Sequence, residues 1–213
     1  MFKRIGALTV LALVATAAPA LATNPPGVAN AGSASYVRNG AQVTIAPVAP
    51  CSVDGPTTAT SGLQTGSGVK FTSATSSCTT TVVDPDTDTT KTVSKASGTG
   101  FELSALVLKG GPRIRMSSWQ VTCTGTDAGS NVSWSFSGLS GMAALPNPVP
   151  QNYVREIRSS GGVLLATATF NGIVFPSPND GSISMTMARF AFAPGSGMTG
   201  EVRLGDTACS PTP

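Results

Sequence analysis

The amino-acid sequence predicts an all-β protein: a single β-sandwich, Ig-like or jelly-roll-like, of about ten short strands with two disulfides. Three observations carry that expectation. Short runs alternate apolar and polar residues with a period of two, the spacing of side chains on one face of a strand. Clusters of Gly, Pro, Asn and Asp separate these runs at intervals of about eight to twelve residues, and no stretch beyond the N-terminal leader has helical periodicity. Cys51, Cys78, Cys123 and Cys209 form an even set in a chain with the marks of export.

Those marks are Lys3 and Arg4, an apolar run over residues 5–18, and the small-residue site Ala20-Leu21-Ala22. A positive segment, a short apolar segment and an Ala-x-Ala site in that order describe a secretory signal peptide. The apolar run falls short of the roughly 20 residues a membrane-spanning helix needs, so residues 1–22 are read as a cleaved leader. No later stretch is expected to span a membrane. Of 213 residues, removal of 22 leaves 191, enough for one sizeable core. The expected division is a flexible N-terminal arm over 23–34 and one β-sandwich domain over 35–213. Without Lys3 and Arg4 the chain holds 11 basic and 10 acidic residues, which gives no case for a nucleic-acid partner. Charged residues make up 11% against about 25% in ordinary soluble domains. Ser, Thr, Gly and Asn must therefore cover most of the surface.

In chain order, alternating runs are expected as strands at 35–38 and 41–46, with Pro47 and Pro50 ending the second. Residues 52–68, mostly Gly, Ser, Thr and Pro, read as a loop. Strand patterns resume at 69–74, 79–83 and 91–95, the last two joined by the turn formers from Asp84 to Thr90. The run 101–109 reads as a buried strand broken by Gly110-Gly111-Pro112. The central hairpin follows. Ile114 and Met116 share a face, the alternation slips at Ser117-Ser118, and Trp119, Val121 and Cys123 share the next. Val132, Trp134 and Phe136 repeat the period on the return strand, and the slip is read as a bulge. Residues 137–150 form a Pro- and Gly-rich link. Further strands are expected at 153–158, 163–175, 182–193 and 199–209, with a turn at 177–181. Four cysteines allow three pairings. Cys51 with Cys78 and Cys123 with Cys209 is preferred, because the first closes a local loop and the second ties the central hairpin to the last strand. A zinc site is disfavoured, since no two cysteines have the close spacing such sites use.

Several segments together resemble one family of exported proteins. They are Ala96-Ser-Gly-Thr-Gly-Phe-Glu-Leu-Ser-Ala-Leu-Val-Leu-Lys-Gly-Gly, the strand ending at Cys123, Ser137-Gly-Leu-Ser-Gly141, Pro146-Asn-Pro, the strand containing Asn171, Gly181-Ser-Ile-Ser-Met-Thr-Met-Ala188, and Gly200-Glu-Val-Arg-Leu-Gly-Asp-Thr-Ala-Cys209. Over about residues 66–210 this order is similar to the actinobacterial proteins called choice-of-anchor P. The resemblance implies export and a β domain, and it brings no activity and no catalytic residues. The chain departs from the family in its tail, Cys209-Ser-Pro-Thr-Pro213, which has neither a hydrophobic anchor nor a Leu-Pro-x-Thr-Gly-like signal. Release, or non-covalent retention at the cell surface, is the expected outcome.

The chain has no histidine, which removes Ser-His-Asp and Cys-His nucleophile pairs and histidine metal ligands. Ser67-Gly-Val-Lys70 matches a bare Ser-x-x-Lys pattern without its companions and outside any helical turn. Asp84, Asp86 and Asp88 could converge on a hard cation, yet the calcium-loop pattern is incomplete, and a solvated acidic turn is the simpler reading. Glu102, Glu156 and Glu201 are the carboxylates available to a glycosidase, each alone among strand residues. The pairs Arg113 with Arg115, and Arg155 with Arg158, could meet anions; outward-facing strand positions beside Ile114, Met116 and Ile157 are the preferred reading. Met185 and Met187 fit core packing, Met198 is read in a turn, and Asn131-Val-Ser133 is read as hairpin sequence. The expectation is a secreted or loosely surface-associated, non-catalytic β-sandwich with no cofactor. Its role would be binding or structure at the bacterial envelope, with a cell-wall component or another surface protein as partner. The alternative is a carboxylate-based extracellular hydrolase acting on polysaccharide.

Overall fold

Among the described residues strand pairing is antiparallel throughout, and it builds two sheets. The computed structural model describes residues 25–212; the expected signal peptide lies outside them. The first sheet contains β1 (Gly27–Arg38), β2 (Ala41–Ile45), β3 (Cys51–Ser52), β11 (Tyr153–Arg158), β12 (Leu164–Val174), β13 (Ile183–Phe192) and β14 (Met198–Cys209). Its order is β11-β12-β13-β14-β1-β2, with β3 also beside β1. The second contains β4 (Thr58–Ser61), β5 (Gln64–Gly66), β6 (Val69–Phe71), β7 (Ser73–Asp84), β8 (Thr89–Leu103), β9 (Ile114–Thr126) and β10 (Gly129–Ser137). There β10, β9 and β8 lie side by side, and β8 pairs on its other edge with β6 and then β7. The β-sandwich expectation holds, with fourteen strands among the described residues rather than about ten.

Several sequence expectations are corrected. The supposed arm at 23–34 contains most of β1, a strand paired on both sides. Its Ala29, Ala31 and Ala34 are buried, so small size here reflects close packing between sheets and not looseness. The loop at 52–68 contains β4 and β5, whose Ser, Thr and Gln residues pair at a sheet edge where little apolar burial is needed. The run 101–109 is a strand only to Leu103, whose partner is Ile114. Beyond it the chain turns so that Leu106 drops into the core, and Val107–Lys109 forms a single 3-10 turn. Met198, read in a turn, is the buried first residue of β14.

Aromatic residues fill the space between the sheets. Phe71, Phe101, Phe170, Phe190 and Trp119 are buried and meet in tilted, stacked or edge-on pairs with centroids 5.4–6.3 Å apart. Each fully buried large side chain contributes about 1.5–3 kcal/mol by removal from water, so this cluster outweighs any single polar contact. The bridge Cys51–Cys78 joins β3 of the first sheet to β7 of the second, and Cys123–Cys209 joins β9 to β14. Both therefore tie one sheet to the other.

The slip at Ser117-Ser118 belongs to a larger feature. Along β8 and β9 the ladder passes from Thr99 opposite Ser118 to Phe101 opposite Met116, skipping Gly100 and Ser117 without changing register. The same skip passes through Thr72 on one side and Gly138 on the other, so one interrupted rung crosses the whole sheet. Gly100 and Gly138 have φ of +64° and +63°, a conformation glycine adopts without steric cost. A Cβ on either would collide with Thr72 or Ser117. The feature is thus a row of paired irregularities rather than a bulge with an extra residue in one strand. The first sheet has its counterpart through Ala31, Gly205, Met187 and Asn171, with Gly205 at φ +62° and Asn171 at +54°. At these rows the second sheet turns two successive residues outward (Ser117 and Ser118), and the first turns two inward (Met187 and Ala188).

Candidate functional site

Each carboxylate expected for catalysis is held by arginine. Glu102, on the outer face of the second sheet, accepts from Arg113 Nη1 at 2.6 Å and from Arg115 Nε at 2.9 Å. These donors, Arg115 foremost, hold its carboxyl below the usual range against the opposing effect of burial. Glu156 is bound by Arg158, and Glu201 by Arg189 with Arg203 nearby. Glu156 and Glu201 share a row of the first sheet three strand spacings apart, about 14 Å at the usual interstrand distance. A glycosidase pair sits about 5–10 Å apart. Glu102 lies on the opposite outer face.

The remaining expected positions are also dispersed. Ser67 caps the β5–β6 turn, where its carbonyl accepts from Tyr36 Oη at 2.8 Å and from Arg38, and its hydroxyl accepts from Arg38. No helical turn brings Lys70 onto it. Burial raises the Tyr36 hydroxyl, with Arg38 opposing. Asp84, Asp86 and Asp88 occupy the tip of the β7–β8 hairpin, where Asp84 accepts the Asp86 amide. That bond holds its carboxyl below the ordinary value. Among the described residues no three Cys, Asp or Glu side chains converge on a point where a metal could sit. Arg155 donates to Tyr153, Met185 and Met187 are core, and Asn131 is exposed on β10.

The arrangement most suited to contact with another molecule is one the sequence pattern did not single out, the outer face of the second sheet. Pairing places Ser73, Thr99, Ser118 and Ser137 in one row across β7, β8, β9 and β10, and Thr75, Ser97, Gln120 and Ser135 in the next. Hydroxyls meet across the strands: Ser73 with Thr99 at 2.7 Å, Thr75 with Ser97 at 3.0 Å, Ser118 with Ser137 at 2.8 Å. Together the two rows line a shallow groove of about 430 Å³, uncharged along its length. The interrupted rung forms its upper border, because Ser118 and Thr99 are the first residues past the skip. Alternate Ser and Thr in each run are visible in the sequence. Their alignment into rows depends on pairing among four strands, which no local pattern states.

A second groove, about 470 Å³ and mainly apolar, runs between Phe136 and the 138–150 segment and is lined by Leu139, Met142, Leu145 and Val149. Asn171 anchors its wall, accepting from Trp134 Nε1 at 3.1 Å and donating to the Val149 carbonyl at 3.2 Å. Asn171 tolerates its positive φ better than most residues would, so one side chain serves both the interrupted rung and the link.

Comparison with known proteins finds no family model, no curated protein and no solved structure that matches this chain. Among the described residues no helix is long and apolar enough to cross a membrane.

Proposed function

We propose that the protein is an exported, non-catalytic β-sandwich that binds at the bacterial envelope, presenting the hydroxyl rows of its second sheet to a neutral, hydroxyl-rich polymer such as a cell-wall glycan. The observation that carries this reading is the uncharged groove formed by those two rows. Hydroxyls and an amide exchange water for sugar hydroxyls at small desolvation cost, whereas buried charges do not. Each such bond is worth only about 0.5–1.5 kcal/mol net. A regular array facing a repeating polymer is the arrangement in which weak bonds accumulate. The resemblance to choice-of-anchor P proteins belongs to the same proposal. Arginine engagement of Glu102, Glu156 and Glu201 supports the non-catalytic reading over the hydrolase.

Co-sedimentation with insoluble cell-wall polysaccharide tests it. The double variant Ser97→Arg, Ser135→Arg fills the groove and is expected to lower affinity about tenfold or more, a loss of about 1.4 kcal/mol. Thr44→Arg, exposed on β2 of the other sheet, controls for added charge and is expected to leave binding unchanged. Equal binding by the groove variant and the unmodified chain would remove the face from the proposal. Release of soluble sugar during the assay would favour the hydrolase.

A further inference from the structure

Charged side chains are sorted along the strand axis. The two interrupted rungs divide the sandwich into halves, one holding Leu103 and Phe192, the other holding the β7–β8 and β9–β10 turns. In the first half the second sheet and its turns carry Lys70, Lys109, Arg113 and Arg115 with Glu102. The first sheet adds Arg38, Arg155, Arg158, Arg189 and Arg203 with Glu156 and Glu201. The second half holds Asp54 beside the start of β1, the hairpin-tip residues Asp84, Asp86 and Asp88, and Asp127, Asp180 and Asp206, with only Lys91 and Lys95 opposing. Among the described residues, nine basic against three acidic side chains give one half +6, and two basic against seven acidic give the other −5.

The same two ends expose apolar groups. Val82 (60%), Val83 (55%), Val174 (61%) and Phe175 (52%) are exposed at the acidic end, and Leu108 (77%), Val163 (51%) and Val107 (38%) at the basic end. Among the described residues these are seven of the nine large apolar side chains left exposed. The 3-10 turn carrying Leu108 and the turn carrying Val163 are neighbours, joined by the Ser160 amide to the Gly110 carbonyl at 2.9 Å.

We propose that copies of this chain associate head to tail, the acidic end of one molecule against the basic end of the next. Opposite net charges with apolar groups on both faces are what such a contact requires, and they lie on different surfaces of one molecule. The interface is then heterologous, and unless the rotation closes a ring it propagates as an open array. A membrane would account for the basic end alone; a second copy accounts for both. The end of the sandwich measures about 25 Å by 20 Å, from five or six strands at about 4.8 Å and two sheets about 10 Å apart. That is near 500 Å² per partner, below the roughly 800 Å² of a standard stable interface. The association is therefore weak and, with charge directing it, sensitive to salt.

Sedimentation velocity of the purified chain across a concentration series, at low and high salt, tests this. The weight-average mass is expected to climb past the dimer at low salt and to return to the monomer at high salt. Asp54→Lys with Asp86→Lys brings the acidic half from −5 to about −1, and Lys70→Glu with Lys109→Glu brings the basic half from +6 to about +2. All four positions are exposed. Each double variant alone is expected to remain monomeric where the unmodified chain assembles. Mixing them restores one complementary contact, so the mixture stops at a heterodimer. A mass constant across concentration and salt, a limit at the dimer for the unmodified chain, or variants that assemble as it does would overturn the proposal. So would a monomer that pellets with anionic phospholipid vesicles and loses that capture in the Lys70→Glu, Lys109→Glu variant, which would assign the basic end to a membrane.

Discussion

The indole Nε1 of Trp119 donates to the Ala31 carbonyl at 2.9 Å, across the sandwich from the second sheet to the first. Ala31 lies where the β1–β14 ladder skips a rung, and Trp119 is the first inward residue after the skip in β9. The two interruptions thus meet at one buried bond, in which a side chain of one sheet satisfies a main-chain acceptor of the other.

Trp119→Phe keeps most of the packing and leaves that carbonyl buried without its donor, an expected cost of about 1–3 kcal/mol. Trp119→Ala adds a cavity, and the total is expected at about 3–5 kcal/mol. Urea unfolding followed by circular dichroism measures both. Equal stability of Trp119→Phe and the unmodified chain would show that the bond contributes nothing.

Gly100→Ala forces an L side chain into the left-handed region, at about 1–2 kcal/mol, and drives its Cβ into Thr72. A loss of about 2 kcal/mol or more is therefore expected. Gly62, with open space around it, is the matched control. Gly62→Ala is expected to be neutral or slightly stabilising in the same unfolding assay.

Glu102 has a folded-state pKa below its ordinary 4.5, held there first by Arg115 and also by Arg113. A depressed carboxylate contributes stability that is present above the unfolded value and lost as pH falls through the folded one. Glu102→Gln is accordingly expected to weaken the protein at neutral pH and to flatten part of the decline in stability below about pH 4.5. Asp84 and Asp180, also lowered, retain the rest of the decline. Unfolding free energies measured from pH 7 to pH 3 separate the outcomes, and parallel curves for the two proteins would contradict the assignment.

Removing the disulfides has unequal expected costs. Cys51–Cys78 spans 27 residues and Cys123–Cys209 spans 86, so loop entropy gives about 3.6 and about 4.6 kcal/mol. Paired Cys→Ser variants should fall in that order in thermal or urea unfolding. The reverse order would mean that packing around Cys51, not chain entropy, dominates.

Strands with large alternating side chains are legible in the amino-acid sequence itself: β9, β10, β13 and β14 follow from Ile114, Trp119, Trp134, Met185, Met187, Val202 and their neighbours. Even the parity slip at Ser117-Ser118 is visible in one strand, although its continuation through Thr72, Gly100 and Gly138 is not. β1 is hidden because its core residues are Ala29, Ala31 and Ala34, and small side chains do not distinguish a tightly packed strand from a loose segment. β4 and β5 are hidden because Thr58, Thr60 and Gln64 sit at a polar edge. The hydroxyl rows and the charge division share one cause of invisibility. Ser73, Thr99, Ser118 and Ser137 are far apart in the chain, and a balance of 11 basic to 10 acidic side chains among the described residues conceals halves of opposite sign.

The most direct measurement is a non-reducing peptide map with N-terminal sequencing of the chain recovered outside the cells that make it. An exported sandwich stapled between its sheets is expected to begin at Thr23 and to give Cys51 linked to Cys78 and Cys123 linked to Cys209, with no free thiol. A chain that retained residues 1–22 and carried four reduced cysteines would contradict it.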